Sequence, residues 1–163
     1  MSVATEPEWH REQPRRFWDP SRKLLASIRS YQKNVAKKSI RFVIARKIAV
    51  LRYRFWTVIT GAEIPLNTQI GGGLMIPHPN GIVIHPDTTI GPNCLLFQQV
   101  TIGSRDSSPP VIGGHVDIGA GAKVLGAIRI GNDVRIGANA VVLTDVEEGS
   151  TVVGIPAKVI NTS

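Results

Sequence analysis

From Ile112 to Val146 the chain repeats itself every six residues. Ile112, Ile118, Val124, Ile130, Ile136 and Val142 form one series, and four places after each stand Val116, Ala122, Ile128, Val134, Ala140 and Val146. An amphipathic helix needs apolar residues about every 3.6 positions and a half-buried strand every second one, so this run excludes both. The fold that satisfies the period is a parallel β-helix. Each hexad makes a short strand and a corner, the branched aliphatic points inward, and the small residue four places on fills the corner. Gly119, Gly131 and Gly137 directly follow three of the inward aliphatics, where the chain turns tightly. The phase continues upstream as Ile64, Ile70, Ile76 and Ile82, and then as Ile84, Ile90, Leu96 and Ile102. The two-residue slip predicts a bulge after Pro77-His78-Pro79-Asn80-Gly81. The interruption from Gly103 to Val111 predicts an extruded loop. Breaks of this kind are where repeat scaffolds carry function.

The 163 residues are one domain's worth of chain, and their charge is unevenly placed. Residues 1–60 hold 14 Lys and Arg against 4 Asp and Glu, whereas residues 61–163 hold 5 against 8. The single cysteine, Cys94, excludes an internal disulfide framework, suits a reducing cytoplasm and falls in a small-residue corner slot, so it reads as packing. The polar start from Met1 to Pro14 does not read as a signal peptide, and Ile40 to Trp56, broken by five cations, does not read as a membrane span. A cytoplasmic location is expected.

Two parts follow: a basic N-terminal arm with amphipathic helices over 1–60, and a repeat domain over 61–163. Residues 1–18 read as a loose arm. Asp19-Pro20 supplies a helix cap and a proline at the first helical position, and the apolar spacing from Arg22 to Trp56 predicts one or two helices. No acid lies between Pro20 and Ala62. The plain reading is a helical layer packed on the coil with solvated cations, and the second is peripheral contact with an acidic membrane or an anionic substrate. Eight of the nine aromatics lie before residue 61, but with no nucleic-acid-binding motif present, nucleic acid is not expected as a partner.

Of the four histidines, His10 lies in the arm, and His85 and His115 sit at ordinary repeat positions and read as surface turns. His78 differs: it stands between two prolines at the phase slip. Four ordered motifs then carry a resemblance. They are Ile76-Pro77-His78-Pro79-Asn80-Gly81-Ile82-Val83-Ile84, Gln99-Val100-Thr101-Ile102-Gly103, Ile118-Gly119-Ala120-Gly121-Ala122-Lys123-Val124-Leu125-Gly126, and Val153-Gly154-Ile155-Pro156-Ala157-Lys158-Val159-Ile160. From about Gly61 to Ile160 the chain resembles the serine O-acetyltransferase family of acyltransferases.

The resemblance implies a mostly β fold, a left-handed parallel β-helix of hexapeptide repeats with an N-terminal α-helical segment. The left hand rests on this kinship alone, because crossovers between parallel strands are normally right-handed. It implies acetyl-CoA as donor, no metal, and a homotrimer with active sites between subunits. His78 takes the place of the general base that removes the proton from the acceptor hydroxyl, and Glu63 the place of the carboxylate that orients it; imidazole with a carboxylate partner suits that work. Gly103, Ser104, Ala120, Ala138 and Lys158 take the places of the CoA contacts, the lysine meeting a phosphate.

Departures from the family pattern bear on the acceptor. Pro77, Ser108 and Pro109 stand where the serine enzymes hold the amino acid, so a sugar hydroxyl in polysaccharide biosynthesis is the expected acceptor. L-serine is the alternative, should Arg105 and Asp106 replace the missing anchors. The rival of another class is a non-catalytic or zinc-bearing scaffold. A zinc site needs three converging histidines, and His78, His85 and His115 are not spaced one turn apart.

Overall fold

The computed structural model describes residues 4–105 and 108–160. Asp106, invoked above as a substitute anchor, lies outside them. Among the described residues thirteen short strands, all but the last paired in parallel, make three sheets. The first holds β1 (Gln69–Ile70), β3 (Thr89–Ile90), β6 (Val111–Ile112) and β9 (Arg129–Ile130); the second holds β2 (Val83–Ile84), β5 (Thr101–Gly103), β8 (Lys123–Leu125) and β11 (Val141–Val142). The third holds β4 (Leu95–Leu96), β7 (Asp117–Ile118), β10 (Arg135–Ile136), β12 (Thr151–Val153) and β13 (Lys158–Ile160). As the chain winds round the sheets, each strand up to β12 hydrogen-bonds to one a full turn away, while β13 folds back antiparallel on β12.

The pairings confirm the period and its two breaks. Val83 stands opposite Thr101, and Asp117 opposite Arg135, 18 residues apart as three hexads require. Gln69 stands opposite Thr89, 20 apart, because the bulge before β2 adds two residues. Thr89 stands opposite Val111, 22 apart, because the loop after Gly103 adds four. The last turn shrinks to 16, Arg135 opposite Thr151.

Every inward aliphatic of the two series is buried, and Leu96, Ile102, Ile118 and Val124 have no exposure. Each contributes about 1.5–3 kcal/mol through burial of its apolar surface. Cys94 packs among them, and burial pushes its thiol up to about 12 despite opposing backbone N–H groups of Val116 and His115 and the charge of Arg11. Its corner role is as expected. His115 also sits at a corner, with φ 55°, and its Nδ1 lies 2.7 Å from Asp133 Oδ1 of the next turn.

Two helices cover the start of the coil: α1 (Pro20–Asn34) and α2 (Ile40–Thr60), the latter ended by left-handed Gly61. Leu24, Leu25 and Ile28 of α1 and Trp56 of α2 join the coil residues in one continuous core. Helix α1 closes the open edge of the first turn, where strand carbonyls would otherwise go unpaired. Arg29 donates to the carbonyls of Ile70 (2.6 Å) and Gly71 (2.7 Å), and Gln32 to those of Leu66 (3.2 Å) and Thr68 (3.0 Å).

Two expectations need correction. Over its described residues the arm is packed rather than loose. Asn93 accepts from the Glu8 N–H and donates to the Glu6 carbonyl, a 3-10 turn runs Trp9–Glu12, and Glu12 is buried against Arg29. Corner glycines make room for it, since a side chain at Gly72 would meet the Trp9 ring at 2.7 Å. A polar sequence hid this because its polar groups are paired with the coil rather than with water. Asp19 does precede α1, but its carboxylate does not cap the helix N–H groups; it accepts from the Arg15 N–H (3.0 Å) and pairs with Arg22 (3.3 Å).

Candidate active site

The bulge that carries His78 is held from both sides. Gly81 N–H donates to the Gly61 carbonyl (2.8 Å) below, and the Asn80 carbonyl accepts from Gln99 N–H (2.9 Å) of the turn above. A side chain at Gly61 would meet Asn80 Nδ2 at 2.7 Å, so the glycine that ends α2 also lets the bulge close down on it. His78, flanked by prolines and exposed, is thereby presented to solvent from a fixed backbone.

Glu63 lies beneath the strand into which the bulge leads. Its N–H donates to the Ile82 carbonyl (2.7 Å), its carbonyl accepts from Ile84 N–H (2.9 Å), and it bridges to Val83. Its side chain is exposed, and no hydrogen bond or ion pair joins it to His78 within this chain. Both groups occupy the same end of the coil with their polar atoms open to a substrate.

A cavity of about 560 Å³ opens beside His78 between the bulge and the ordered arm. Arg15, Arg16, Trp18, Asp19 and Arg22 line it with Asn80 and Thr60. Burial pushes the Asp19 carboxyl up, but the Arg15 N–H and the Arg22 guanidinium outweigh that and hold it below its ordinary value, so it stays an anion. Arg15 and Arg16 have no carboxylate within ion-pair distance among the described residues. Reading the sequence missed these groups, since a loose arm offers no fixed side chain. The only available signal was Arg15-Arg16 standing a few places before the Asp19-Pro20 helix start.

The five expected CoA positions fall into separate places. Ala120 and Ala138 stack on the corner where the chain enters the second sheet, the column that starts at Asn80 and Gln99: Gly121 N–H donates to the Gln98 carbonyl and Asn139 N–H to the Ala120 carbonyl. Gly103 and Ser104 stand at the other end of the same strands, about 10 Å away at 3.3 Å per residue. Lys158 lies exposed on β13, on a different sheet. One chain therefore does not gather them. The corner column itself fits the arm of an acyl thioester carrier. It is lined by small residues, Lys123 Nζ reaches the Gln99 carbonyl (2.7 Å), and the buried Gln98 Oε1 has no hydrogen-bond partner among the described residues, an acceptor suited to an amide N–H. Among the described residues no group of three or more His, Cys, Asp or Glu is placed to hold a metal.

A parallel β-helix with a proline-braced histidine at a break and a small-residue corner leading to it defines a hexapeptide-repeat acyltransferase. No protein-family model matches the chain. It is 49% identical over 123 residues to serine acetyltransferase of Helicobacter pylori strain J99, a match covering 73% of this chain and 70% of that one. The solved structure of a serine acetyltransferase in complex with CoA superposes with TM-score 0.74 at 30% identity, over 88% of this chain and 58% of that one. Soybean serine acetyltransferase complexed with serine superposes with TM-score 0.68 at 28% identity, over 86% of this chain and 56% of that one. The chain thus spans a little over half of both solved chains. It belongs to the serine acetyltransferase family, acetyl-CoA-dependent O-acetyltransferases on a left-handed β-helix.

Proposed function

We propose that the chain transfers the acetyl group of acetyl-CoA to the hydroxyl of L-serine, with His78 as general base. The observation that carries this reading is the cavity beside His78. An amino acid presents a carboxylate, an ammonium and a hydroxyl, and the cavity offers the guanidiniums of Arg15 and Arg16, the carboxylate of Asp19 and the imidazole of His78. Charge-assisted hydrogen bonds of this kind orient a zwitterion and leave its hydroxyl toward the base. The sugar acceptor expected from Pro77, Ser108 and Pro109 loses its argument here, since the anchors absent from those places have counterparts on the arm. The relatives and solved structures named above are called serine acetyltransferases, which favours the same acceptor.

Acetyl-CoA supplies an activated acetyl thioester. His78 accepts the hydroxyl proton as the hydroxyl oxygen forms its bond to the acetyl carbonyl carbon; the C–S bond breaks and the imidazolium returns the proton to the departing thiolate. Glu63, bridged to Val83 of the strand that follows the bulge, steadies the imidazolium by its charge. Arg15, Arg16 and Asp19 hold the amino acid. Because Gly103 and Ser104 are separated from Ala120 and Ala138 across the sheet, a neighbouring copy completes the CoA groove, and a homotrimer is the assembly proposed.

The test is CoA release from acetyl-CoA, followed with a thiol reagent, against L-serine and a panel of sugars and nucleotide sugars. Serine-dependent release supports the reading. Release with sugars alone sinks it and returns the enzyme to polysaccharide modification.

A further inference from the structure

Helix α2 is apolar on two opposite sides, and the fold uses one of them. Ala49, Trp56 and Thr60 are buried toward α1 and the coil. At 3.6 residues per turn, Ile44, Ile48, Leu51, Phe55 and Val58 share the opposite face. All five are exposed, Leu51 at 70% and Val58 at 82%. Arg41 and Arg52 fall along one border of this stripe, Lys47 and Arg54 along the other, and all four are exposed. Aromatic residues crowd the same end of the layer. Trp18 and Phe55 both pack edgewise on Trp56, at 5.6 and 4.9 Å, and Phe17, 89% exposed, stands under the Lys23 ammonium at 4.9 Å.

We propose that this face of α2 docks on an anionic lipid membrane, with the helix lying in the plane of the interface. An apolar stripe bordered on both sides by Lys and Arg matches the layering of such a surface, acyl chains beneath and phosphates at the rim. Exposed Phe17 and Trp18 suit the headgroup level. The helix lies on the membrane rather than crossing it, since no helix among the described residues is long and apolar enough to span one. Charge also decides against two α2 stripes pairing on one another. A symmetric pairing of two α2 stripes would bring their cationic borders together, and no acid between Pro20 and Ala62 is there to offset them.

The experiment is co-sedimentation of the full chain with vesicles of phosphatidylglycerol and phosphatidylcholine in equal parts, against vesicles of phosphatidylcholine alone, at low and high salt. The wild type is expected to sediment with the mixed vesicles, not with the neutral ones, and to release as salt rises. Leu51→Asp with Phe55→Asp, at exposed positions, is expected to abolish binding with an unchanged circular dichroism spectrum. Arg41→Gln with Arg52→Gln is expected to weaken it about 25-fold, roughly fivefold for each cation lost. Should the aspartate pair fail to fold, the glutamine pair decides alone. No binding by the wild type, or unchanged binding by either folded variant, overturns the proposal. So does a smaller oligomer on Leu51→Asp/Phe55→Asp in the absence of any vesicle binding, which would assign the face to a second copy.

Discussion

Glu12 and Arg29 form a two-pronged ion pair, Nη2 to Oε1 at 2.7 Å and Nε to Oε2 at 3.0 Å, that locks the N-terminal arm to α1. The same Oε1 accepts the Leu74 N–H (3.0 Å), and the Arg29 guanidinium stacks on Trp9 at 5.2 Å while donating to two first-turn carbonyls. Arm, helix and coil edge thus meet at one pair of side chains, which also fixes how near Arg15 and Arg16 stand to His78.

Removing one partner leaves the other buried charge without its complement. Glu12→Gln is expected to cost about 2–4 kcal/mol, less than a fully buried pair because Arg29 is partly exposed. This corresponds to a fall in Tm of about 5–15 °C, read by differential scanning calorimetry. An unchanged Tm would mean that the arm is not held by this pair. A second consequence is a raised KM for the acceptor with no change in that for acetyl-CoA, since only the arm side of the cavity is loosened.

His78→Ala is expected to lower kcat by about 10²–10⁴-fold, the range of a lost general base, with CoA binding retained in calorimetric titration. Near-wild-type turnover would exclude the mechanism. Glu63→Gln keeps the shape and removes the charge, so its loss is expected to be smaller and confined to kcat.

Arg15→Ala and Arg16→Ala are expected to raise the KM for L-serine by about 10–100-fold each, the worth of a hydrogen bond to a charged group. The readout is the split between the two substrates. A matching rise in the KM for acetyl-CoA would place these arginines on the donor instead.

Cys94 is expected to be inert to thiol reagents in the native protein and to react only on unfolding. Its thiol, raised by burial from 9.0 to about 12, contributes stability that is fully present below the unfolded value and lost as pH climbs toward the folded one. The melting temperature should therefore fall from about pH 9 upward, and Cys94→Ala should flatten that slope. Rapid native labelling would contradict the packing.

The coil was readable because its period is enforced at every turn by the inward aliphatics, so a two-residue slip at Ile82–Ile84 and a break at Gly103 stood out. The position of His78 was readable for the same reason: it sits where the period fails. Arg15, Arg16 and Asp19 were not, because their placement depends on Glu12 meeting Arg29 and on Asn93 clasping the backbone at Glu6 and Glu8, pairings some 17 to 87 residues apart that no local spacing encodes. The outward stripe of α2 was hidden differently. The spacing from Arg22 to Trp56 predicts an apolar face packed on the coil without saying which, and only the burial of Ala49 and Trp56 shows that the packed face is the far one.

β13 runs antiparallel to β12, with Thr151 opposite Ile160, although the strands of every other turn are parallel. A coil of this kind is in principle a template without a natural length, since each turn offers the next the same pattern of donors and acceptors. The reversed last strand ends that sequence of identical invitations, as Arg29 and Gln32 do at the opposite end. Closed in this way, the coil presents no unpaired parallel strand at these edges for another chain to extend into a fibril.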